Sequence, residues 1–438
     1  MGTSDSQITT ETKLKRIAWL SARDKDKKFS NLMHHINEES LKVCYYELDG
    51  KKALGVDGIT KAEYGENLDE NIKELVIKLK SMSYRPGNIR EVKIPKEGKA
   101  GATRPLGISN FEDKLVQKMI SKILESIYEP IFLDCSYGFR PGRGCHDAVR
   151  VLRQHLFGHE VATIIDVDLE NYFGTIDHKM MVDILQEKIG DKKFLRYIVR
   201  MFKAGYLSNG ELRVSEEGVA QGSICSPILS NIFAHEVLDR WVEEIVKKHC
   251  RGKIELFRYC DDAVLCCQYE TDAERVREAL GKRLAKYKLK INEDKTKMVK
   301  FSKSGYEQEN KSGTFDYLGF TYYWGRSRQG AAIPKVKSSG KRLRSKLKRV
   351  NEWAKMFRNK HLTLNLWELF CRKIEGHIRY FGVSFNIAGV KQFIHRATRI
   401  MFKWLNRRSQ KKSLTWEKFA MFMQRHPLPK AKIWHPLW

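Results

Sequence analysis

The stretch FRYCDDAVLCC, residues 257–267, places two adjacent carboxylates between apolar, β-prone runs. This pattern predicts two strands joined by a tight turn that carries Asp261 and Asp262. Neighbouring carboxylates repel each other, and a divalent cation relieves that repulsion. Mg²⁺ suits such a site, because it binds one or two carboxylates and completes its shell with water and substrate phosphates. The alternative for an isolated Asp-Asp pair is an ordinary solvated turn, so the surrounding sequence has to decide between the two.

A second acidic strand precedes this turn in the chain. VATIIDVDL, residues 161–169, is an apolar run that becomes acidic at its end. Side-chain alternation places Asp166 and Asp168 on the same face of the strand, so spacing alone leaves open which of them binds metal. An acid from this strand, facing the turn, would complete a two-metal site for in-line phosphoryl transfer. Phe173 either packs in the core or lies under the sugar of an incoming nucleotide.

These acids belong to an ordered series of short motifs that resembles the group II intron-encoded reverse transcriptase/maturase family. The matches run in family order from about residue 40 to the end of the chain. They are GVDG at 55–58, IPK at 94–96, RPLGI at 104–108, YGFRPGRG at 137–144, AQG at 220–222, SPILSN at 226–231, YCDD at 259–262, NEDKT at 292–296 and YLGF at 317–320. Each motif is weak alone, and their shared order carries the resemblance.

The resemblance implies a set of site residues. Asp168, Asp261 and Asp262 are the expected catalytic acids that bind two Mg²⁺ ions, with Asp166 as a flanking acid. The residues expected to bind the nucleotide are Lys96, Arg104, Phe173, Gln221, Gly222 and Lys295. Phosphoryl transfer needs cations on the phosphate oxygens, which agrees with arginine and lysine in this set. Lys295 is expected to protonate the leaving pyrophosphate, or else is a solvated lysine.

Composition independently predicts a nucleic-acid partner. The chain has 81 Lys plus Arg against 53 Asp plus Glu, giving a formal charge of +28 and a pI near 9.6. Such a protein is attracted to phosphate backbones through counterion release. Residues 335–360 hold eleven Lys or Arg and one acid, Glu352. Apolar residues recur there at three- and four-residue spacing, which predicts an amphipathic helix with a cationic outer face. A merely solvated face is the alternative.

Two further segments resemble the maturase-specific region of the family, which implies an RNA-binding surface. They are GHIRYFG at 376–382 and FKWLNRR at 402–408. Aromatic residues beside basic ones suit irregular RNA, where rings stack on bases and cations pair with phosphates. Core packing is the alternative for Phe402 and Trp404. The residues expected to contact RNA are Arg140, Arg143, Lys341, Arg342, Lys346, Arg349, Arg407 and Arg408.

The implied fold is an α+β right-hand polymerase. We expect a mostly helical N-terminal extension at 1–88, fingers at 89–160, an antiparallel-sheet palm with the catalytic acids at 161–325, and a helical, basic thumb/maturase domain at 326–438. The polar stretch 325–330 marks the last boundary. An endonuclease domain is not expected, because only about twenty residues follow the segment 416–419 and no paired cysteines are present there.

Several classes are disfavoured by composition. No run approaches eighteen consecutive apolar residues, so no membrane partner is expected. The nine cysteines include no Cys-x-x-Cys pair and indicate a reducing compartment, with a bacterial-type cytoplasm as the expected location.

The leading hypothesis is an RNA-directed DNA polymerase that also binds group II intron RNA and assists its splicing and retrohoming. Its partners would be intron RNA or another RNA template, a DNA or RNA primer, and dNTPs. One alternative is a domesticated relative in host DNA repair or defence. Cys260, Ala220 and Gly174 depart from the family pattern and keep that alternative open. A non-catalytic RNA-binding maturase is the third hypothesis, and three intact acids argue against it.

Overall fold

The computed structural model describes residues 9–95, 101, 103–208, 211–213, 217–218, 222–309, 312–408 and 414–438. Its N-terminal part is helical, with α1 (Thr10–Arg23), α2 (Glu38–Glu47), α3 (Lys61–Glu66), α4 (Leu68–Lys80) and α5 (Phe111–Tyr128). The side chains of Asn37 and Thr60 form capping boxes that begin α2 and α3. Twelve of the 18 residues of α5 are buried, so this helix lies in the centre of the helical N-terminal part and not on its surface.

The first sheet has the order β2-β1-β4-β5. Strands β1 (Ile89–Pro95) and β2 (Thr103–Ile108) form an antiparallel hairpin. Strand β4 (Tyr206–Ser208) pairs in parallel with β1, and β5 (Glu211–Arg213) pairs antiparallel with β4. The sheet therefore joins strands on both sides of the boundary predicted at 160/161.

The second sheet, which we call the acidic sheet, has the order β6-β7-β3-β8 and is antiparallel throughout. Its strands are β3 (Thr163–Val167), β6 (Ile254–Tyr259), β7 (Asp262–Cys267) and β8 (Lys297–Lys300). Ile165 and Leu265 face one hydrophobic core, whereas Ile164 and Val264 face the other. Burial on both faces explains why β3 and β7 are almost continuously apolar.

Eight α-helices of the described residues fall between residues 145 and 309. They are α6 (Cys145–Gly158), α7 (Tyr172–Thr175), α8 (His178–Lys188), α9 (Lys192–Phe202), α10 (Ser226–Ala234), α11 (Lys247–His249), α12 (Glu270–Lys286) and α13 (Lys303–Glu309). Helix α12 contacts β3 and β7, and α6 contacts β6. Between α10 and α11 the helix contains two π-helical stretches, His235–Asp239 and Val242–Val246.

The third sheet corrects one sequence-based expectation. Strands β9 (Phe315–Tyr317), β10 (Phe320–Arg326) and β11 (Ala332–Ser338) pair antiparallel in the order β11-β10-β9. The stretch 325–330, predicted as a domain boundary, therefore spans the connection of a hairpin. Lys335 and Lys337 lie in β11 and not in the predicted basic helix, because pairing with β10 outweighs the helical spacing that begins further on.

The basic run continues into a C-terminal group of four helices. They are α14 (Gly340–Phe357), α15 (Thr363–Phe381), α16 (Ile387–Leu405) and α17 (Trp416–Arg425). The final residues are extended, and His435 forms a parallel bridge with Val383. Within the ranges given above, no helix has both the length and the apolar character needed to cross a bilayer.

Candidate active site

The two predicted turn acids lie at the end of the β6/β7 hairpin. Tyr259 pairs with Asp262, so Cys260 and Asp261 are the residues that reverse the chain. Cys260 has a φ of +59°, in the left-handed region. This conformation costs a residue with a side chain about 1–2 kcal/mol, so the surrounding structure must enforce it. The turn and its acid are thus held in one defined geometry.

The acids of the second strand face this turn from β3. Asp166 pairs with Val264 in β7, and Asp168 follows directly after the end of β3. The Asp168 N–H donates to Thr296 Oγ1 at 3.1 Å, and its carbonyl accepts from the Asn292 N–H at 2.8 Å. The NEDKT segment therefore fixes the backbone of Asp168.

Lys295 of the same segment reaches the acid itself. Its Nζ lies 2.6 and 2.8 Å from the two carboxylate oxygens of Asp168. Both side chains are partly exposed to the cleft, so solvent screens this ion pair and we assign it little stability. What the contact establishes is position: Lys295 lies beside a predicted catalytic acid.

Burial and neighbouring carboxylates raise the pKa of three acids. Enclosure by protein atoms, together with repulsion from Asp261 and Asp168, raises the pKa of Asp262 to about 6, although part of this side chain faces solvent. Burial, followed by repulsion from Asp262 and Asp168, raises the pKa of Asp166 to about 7. Burial also raises the pKa of Asp261. The site therefore favours a bound cation electrostatically.

The acids line an open cleft of about 790 Å³. It also brings together Arg104 from β2, Phe173 from α7, and Lys341 and Arg342 from the first turn of α14. Its walls thus come from the first sheet, the acidic sheet and the C-terminal helices. The third sheet contributes residues that sequence reasoning missed, namely Asp316, Tyr317, Leu318, Gly319 and, just after β11, Ser339.

Asp316 is an additional carboxylate in this cleft. It accepts hydrogen bonds from Ser339 Oγ, at 2.7 Å, and from Thr321 Oγ1. The sequence offered only an indirect signal, because YLGF was matched to the family without a role for the Asp that precedes it. Leu318 and Gly319 both have positive φ, so this segment is a tight turn at the edge of the cleft.

The remaining predicted nucleotide-binding residues are only partly placed. Phe173 lines the cleft while packing against the core, so both of its predicted roles are compatible with its position. Gly222 has a φ of +109°, and a Cβ there would lie 2.6 Å from the Gly107 carbonyl oxygen of β2. Glycine is therefore required by both conformation and space. Lys96 and Gln221 lie outside the described residues.

Arg140 was wrongly expected to contact RNA. Its side chain is only 7% exposed, and it forms an ion pair with Glu129 and donates to the carbonyls of Leu133 and Ser136. A buried guanidinium with these partners organises a loop and cannot reach a phosphate. Arg143 forms an ion pair with Asp134, which also lessens its availability for contact with RNA.

The other predicted RNA contacts lie on α14 and, for Arg407 and Arg408, just after the end of α16. Lys341, Arg342 and Arg349 are exposed on α14, and the Lys346 ammonium lies over the ring of Phe381. Arg407 stacks on Trp404 and lines a second, shallower depression of about 520 Å³. Arg408 donates to the His361 carbonyl and to Thr363, so it also holds neighbouring helices together. Trp404 is buried in the core and Phe402 packs against it, which agrees with core packing, the alternative to RNA stacking that the sequence left open.

The donor chemistry of the acids fits Mg²⁺. Asp168, Asp261 and Asp262 offer only oxygen atoms, and burial together with neighbouring carboxylates raises the pKa of Asp261 and Asp262. In the described part of the chain, no three His, Cys, Asp or Glu side chains are grouped closely enough to hold a metal by themselves. Mg²⁺ does not need such a cage, because water and substrate phosphates supply its other ligands.

Comparison with known proteins defines the class. A family model described as reverse transcriptase (RNA-dependent DNA polymerase) matches residues 94–322, which contain all five acids of the cleft, Asp166, Asp168, Asp261, Asp262 and Asp316. This match covers more than half of the chain. The chain therefore belongs to the reverse transcriptase family.

Individual relatives define the branch. The group II intron-encoded protein LtrA of Lactococcus lactis subsp. cremoris is 35% identical over 243 residues, which are 55% of this chain and 40% of LtrA. Protein YkfC of Escherichia coli strain K12 is 31% identical over 324 residues, 66% of this chain and 82% of YkfC. An uncharacterized 91 kDa protein in a cob intron of Schizosaccharomyces pombe is 34% identical over 212 residues, covering 48% of this chain and 25% of that protein. The chain thus groups with group II intron-encoded reverse transcriptases and maturases, and the match spans less than half the length of LtrA.

Proposed function

We propose that this protein is an RNA-directed DNA polymerase that also binds group II intron RNA and assists its splicing and retrohoming. One observation carries the polymerase part: Asp168, Asp261 and Asp262 converge in a cleft within the matched reverse transcriptase region. In this proposal the first sheet belongs to the fingers, the acidic sheet to the palm and the C-terminal helices α14–α17 to the thumb of a right-hand polymerase, and residues 1–88 form an N-terminal extension. The nine cysteines, all within the described residues, are free thiols and agree with a reducing cytoplasm.

Different residues of the chain have different roles in the proposed nucleotidyl transfer. Asp168, Asp261 and Asp262 would hold two Mg²⁺ ions, which would supply activation of the primer 3′ hydroxyl and charge neutralisation on the triphosphate. Arg104 binds the triphosphate oxygens from the opposite wall of the cleft. Phe173 packs under the sugar of the incoming dNTP. Lys295 already lies among the acids, from where its ammonium donates a proton to the leaving pyrophosphate.

Primer extension tests the polymerase. We expect the purified protein to extend a DNA primer on an RNA template when Mg²⁺ and all four dNTPs are present, and to stop when EDTA is added. Omitting one dNTP should halt extension at the first template base that requires it, which excludes untemplated addition. A folded protein that binds the RNA but adds no nucleotide would leave the non-catalytic maturase as the better description.

The RNA-binding part rests on the cationic helix α14. Its first two turns place Lys341 and Arg342 on the cleft, and Lys346 and Arg349 follow on the same helix. Together with the C-terminal helices, they form a basic surface next to the active site. We propose that template and intron RNA contact this surface.

Charge removal on α14 should weaken RNA binding in a salt-dependent way. In the test variant, Lys341, Arg342, Lys346 and Arg349 are all replaced by glutamine. We expect the plot of log K against log salt to become shallower, with the magnitude of its slope smaller by about 3. The reason is that each phosphate contact on a single strand contributes about 0.7 to that magnitude. Fluorescence anisotropy with labelled RNA between low and moderate salt measures the slope.

The control carries the same charge change elsewhere. Lys248 is exposed on α11, and Arg275, Lys282 and Lys286 are exposed on α12, which contacts β3 and β7 of the acidic sheet. Their quadruple glutamine variant should keep most of the wild-type slope. Equal losses in both variants would mean that net charge alone, and no particular surface, attracts the RNA.

A further inference from the structure

A buried arginine next to the catalytic turn has no role in the chemistry described so far. Arg258 is the largest fully buried side chain of the described residues, with 1% of its surface exposed. It lies in β6, two residues before Cys260. Arginine is almost never fully buried unless it is paired, because removing its charge from water is costly. Its position therefore requires an explanation.

Every donor of this guanidinium is used. Nε and Nη2 each lie 2.6 Å from an oxygen of Asp239, forming a two-pronged ion pair. Nη2 also donates to Ser136 Oγ at 2.7 Å. Nη1 donates to Asn231 Oδ1 and to the Cys260 carbonyl, both at 3.0 Å. A guanidinium has five N–H groups, and these five contacts satisfy all of them.

The bond to the Cys260 carbonyl acts directly on the metal-binding turn. That carbonyl belongs to the peptide group that joins Cys260 to Asp261. Fixing this peptide plane fixes the backbone from which the Asp261 carboxylate projects. Because Cys260 is held at a positive φ, the turn needs such an external restraint to keep its shape.

Asp239 holds the arginine in place from the neighbouring helix. It ends the first π-helical stretch, His235–Asp239, and is 1% exposed. Burial acts to raise the pKa of Asp239, but the charge and hydrogen bonds of Arg258 outweigh it and lower the pKa, so the carboxylate stays ionised. π-Helical insertions are rare and often occur at functional sites.

The same network joins three segments to the turn. Asn231, on α10, accepts from Arg258 and donates to the Gly138 carbonyl at 2.6 Å. The backbone of Arg258 also exchanges hydrogen bonds with the loop 135–137, because its N–H donates to the Cys135 carbonyl and its carbonyl accepts from Tyr137. The turn is thus anchored to α10, to the π-helical stretch and to the loop before Gly138.

We propose that Arg258 and Asp239 form a positioning pair that sets the geometry of the metal-binding turn. The two residues touch neither nucleotide nor metal. They hold the Cys260–Asp261 peptide so that Asp261 and Asp262 bind Mg²⁺ together with Asp168. The proposal rests on the proposed polymerase function, because it assigns a purpose to that site's geometry.

Arg258→Lys and Asp239→Asn test the pair. Lysine has three donors and cannot form the two-pronged contact. We expect the Mg²⁺ concentration for half-maximal extension to rise about 10- to 100-fold, the range seen when partners of metal ligands are removed. We expect kcat at saturating Mg²⁺ to fall while the KM for dNTP stays within about twofold, because the nucleotide contacts are untouched.

A direct metal titration separates positioning from activity. Mn²⁺ binding to the protein without nucleic acid, followed by electron paramagnetic resonance, should weaken in both variants and be lost in Asp261→Asn. If wild type binds Mn²⁺ at these acids without extending a primer, the polymerase proposal fails while the positioning proposal can still be judged. Unchanged Mn²⁺ affinity in both variants would overturn the positioning proposal.

Arg153→Lys is the matched control. Arg153 is also buried, 3% exposed, but it donates to the carbonyls of Pro334 and Leu437, away from the turn. The Arg153→Lys substitution should lower the midpoint of thermal unfolding and leave the Mn²⁺ titration unchanged. If Arg258→Lys does not fold, Ser136→Ala removes a single bond to Arg258 and should still shift the Mg²⁺ midpoint upward. If the Mg²⁺ midpoint of Ser136→Ala shifts no more than that of Arg153→Lys, Arg258 has only a general structural role and the positioning proposal is wrong.

Discussion

Asp261→Asn should strongly reduce RNA-templated DNA synthesis while leaving RNA binding nearly unchanged. Asparagine keeps the shape of the side chain and removes its charge, so the turn remains and a metal ligand is lost. We expect the single-turnover extension rate to fall by about 10³-fold, the upper end for losing one electrostatic contact in a reacting site. The affinity for the same RNA should change less than about twofold, because the proposed binding surface lies on α14 and contributes most of the phosphate contacts.

The folded state should not suffer from this substitution. Asp261 lies among like charges, and burial raises its pKa, so replacing it with a neutral side chain removes repulsion. A thermal midpoint equal to or above that of wild type would therefore accompany the lost activity. Asp183→Asn, the same change on the exposed face of α8, should retain both activities. Parallel loss of synthesis and RNA binding in Asp261→Asn would contradict the separation of the two surfaces.

Gly138→Ala should reduce synthesis by about 10²-fold, the cost typical of a 1 Å displacement in a reacting site. A Cβ at this position would lie 2.7 Å from the backbone nitrogen of Cys260 and would also meet its sulfur. The glycine is needed here for space, since the loop passes directly against the turn between β6 and β7. Either the loop or the turn must move, and the Asn231 bond to the Gly138 carbonyl ties both to the same network. Primer-extension kinetics at saturating dNTP measure the loss.

Two further variants identify the cause. Gly138→Ala combined with Cys260→Ala removes the sulfur and keeps the backbone contact, so we expect at most partial recovery. Gly281→Ala, in α12, meets no atom within 4 Å of the new Cβ and should raise stability by about 0.5–1 kcal/mol with normal activity. Full activity of Gly138→Ala would show that the close approach of loop and turn does not govern the geometry of the acids.

The acids and their strands could be predicted from the sequence because the signals are local. Alternating and continuous apolar runs around DVD and CDD predicted strands ending in carboxylates, and the structure has β3, β6 and β7 there. The order of short motifs predicted the family, which the family model and the relatives confirm. The roles assigned to individual site residues remain predictions, to be tested by the variants above.

Other expectations failed where a residue has a partner that the local pattern does not contain. The positive charge of Arg140 suggested RNA, but Glu129 and nearby carbonyls enclose it. The lysines at 335 and 337 suggested a helix, but pairing with β10 makes that segment a strand. In both cases a local pattern was overridden by a neighbour that the pattern does not contain.

The sequence by itself determined which residues carry charge, where strands and helices recur and to which family the chain belongs, because these depend on residue type and short-range spacing. Only the tertiary structure decided that Lys295 contacts Asp168, that Asp316 enters the cleft and that Arg258 and Asp239 brace the turn. Those contacts join residues 19 to 127 positions apart. These contacts form when the chain packs, because buried polar groups must be paired with each other. The spacing of residues along the sequence does not show which groups will be paired.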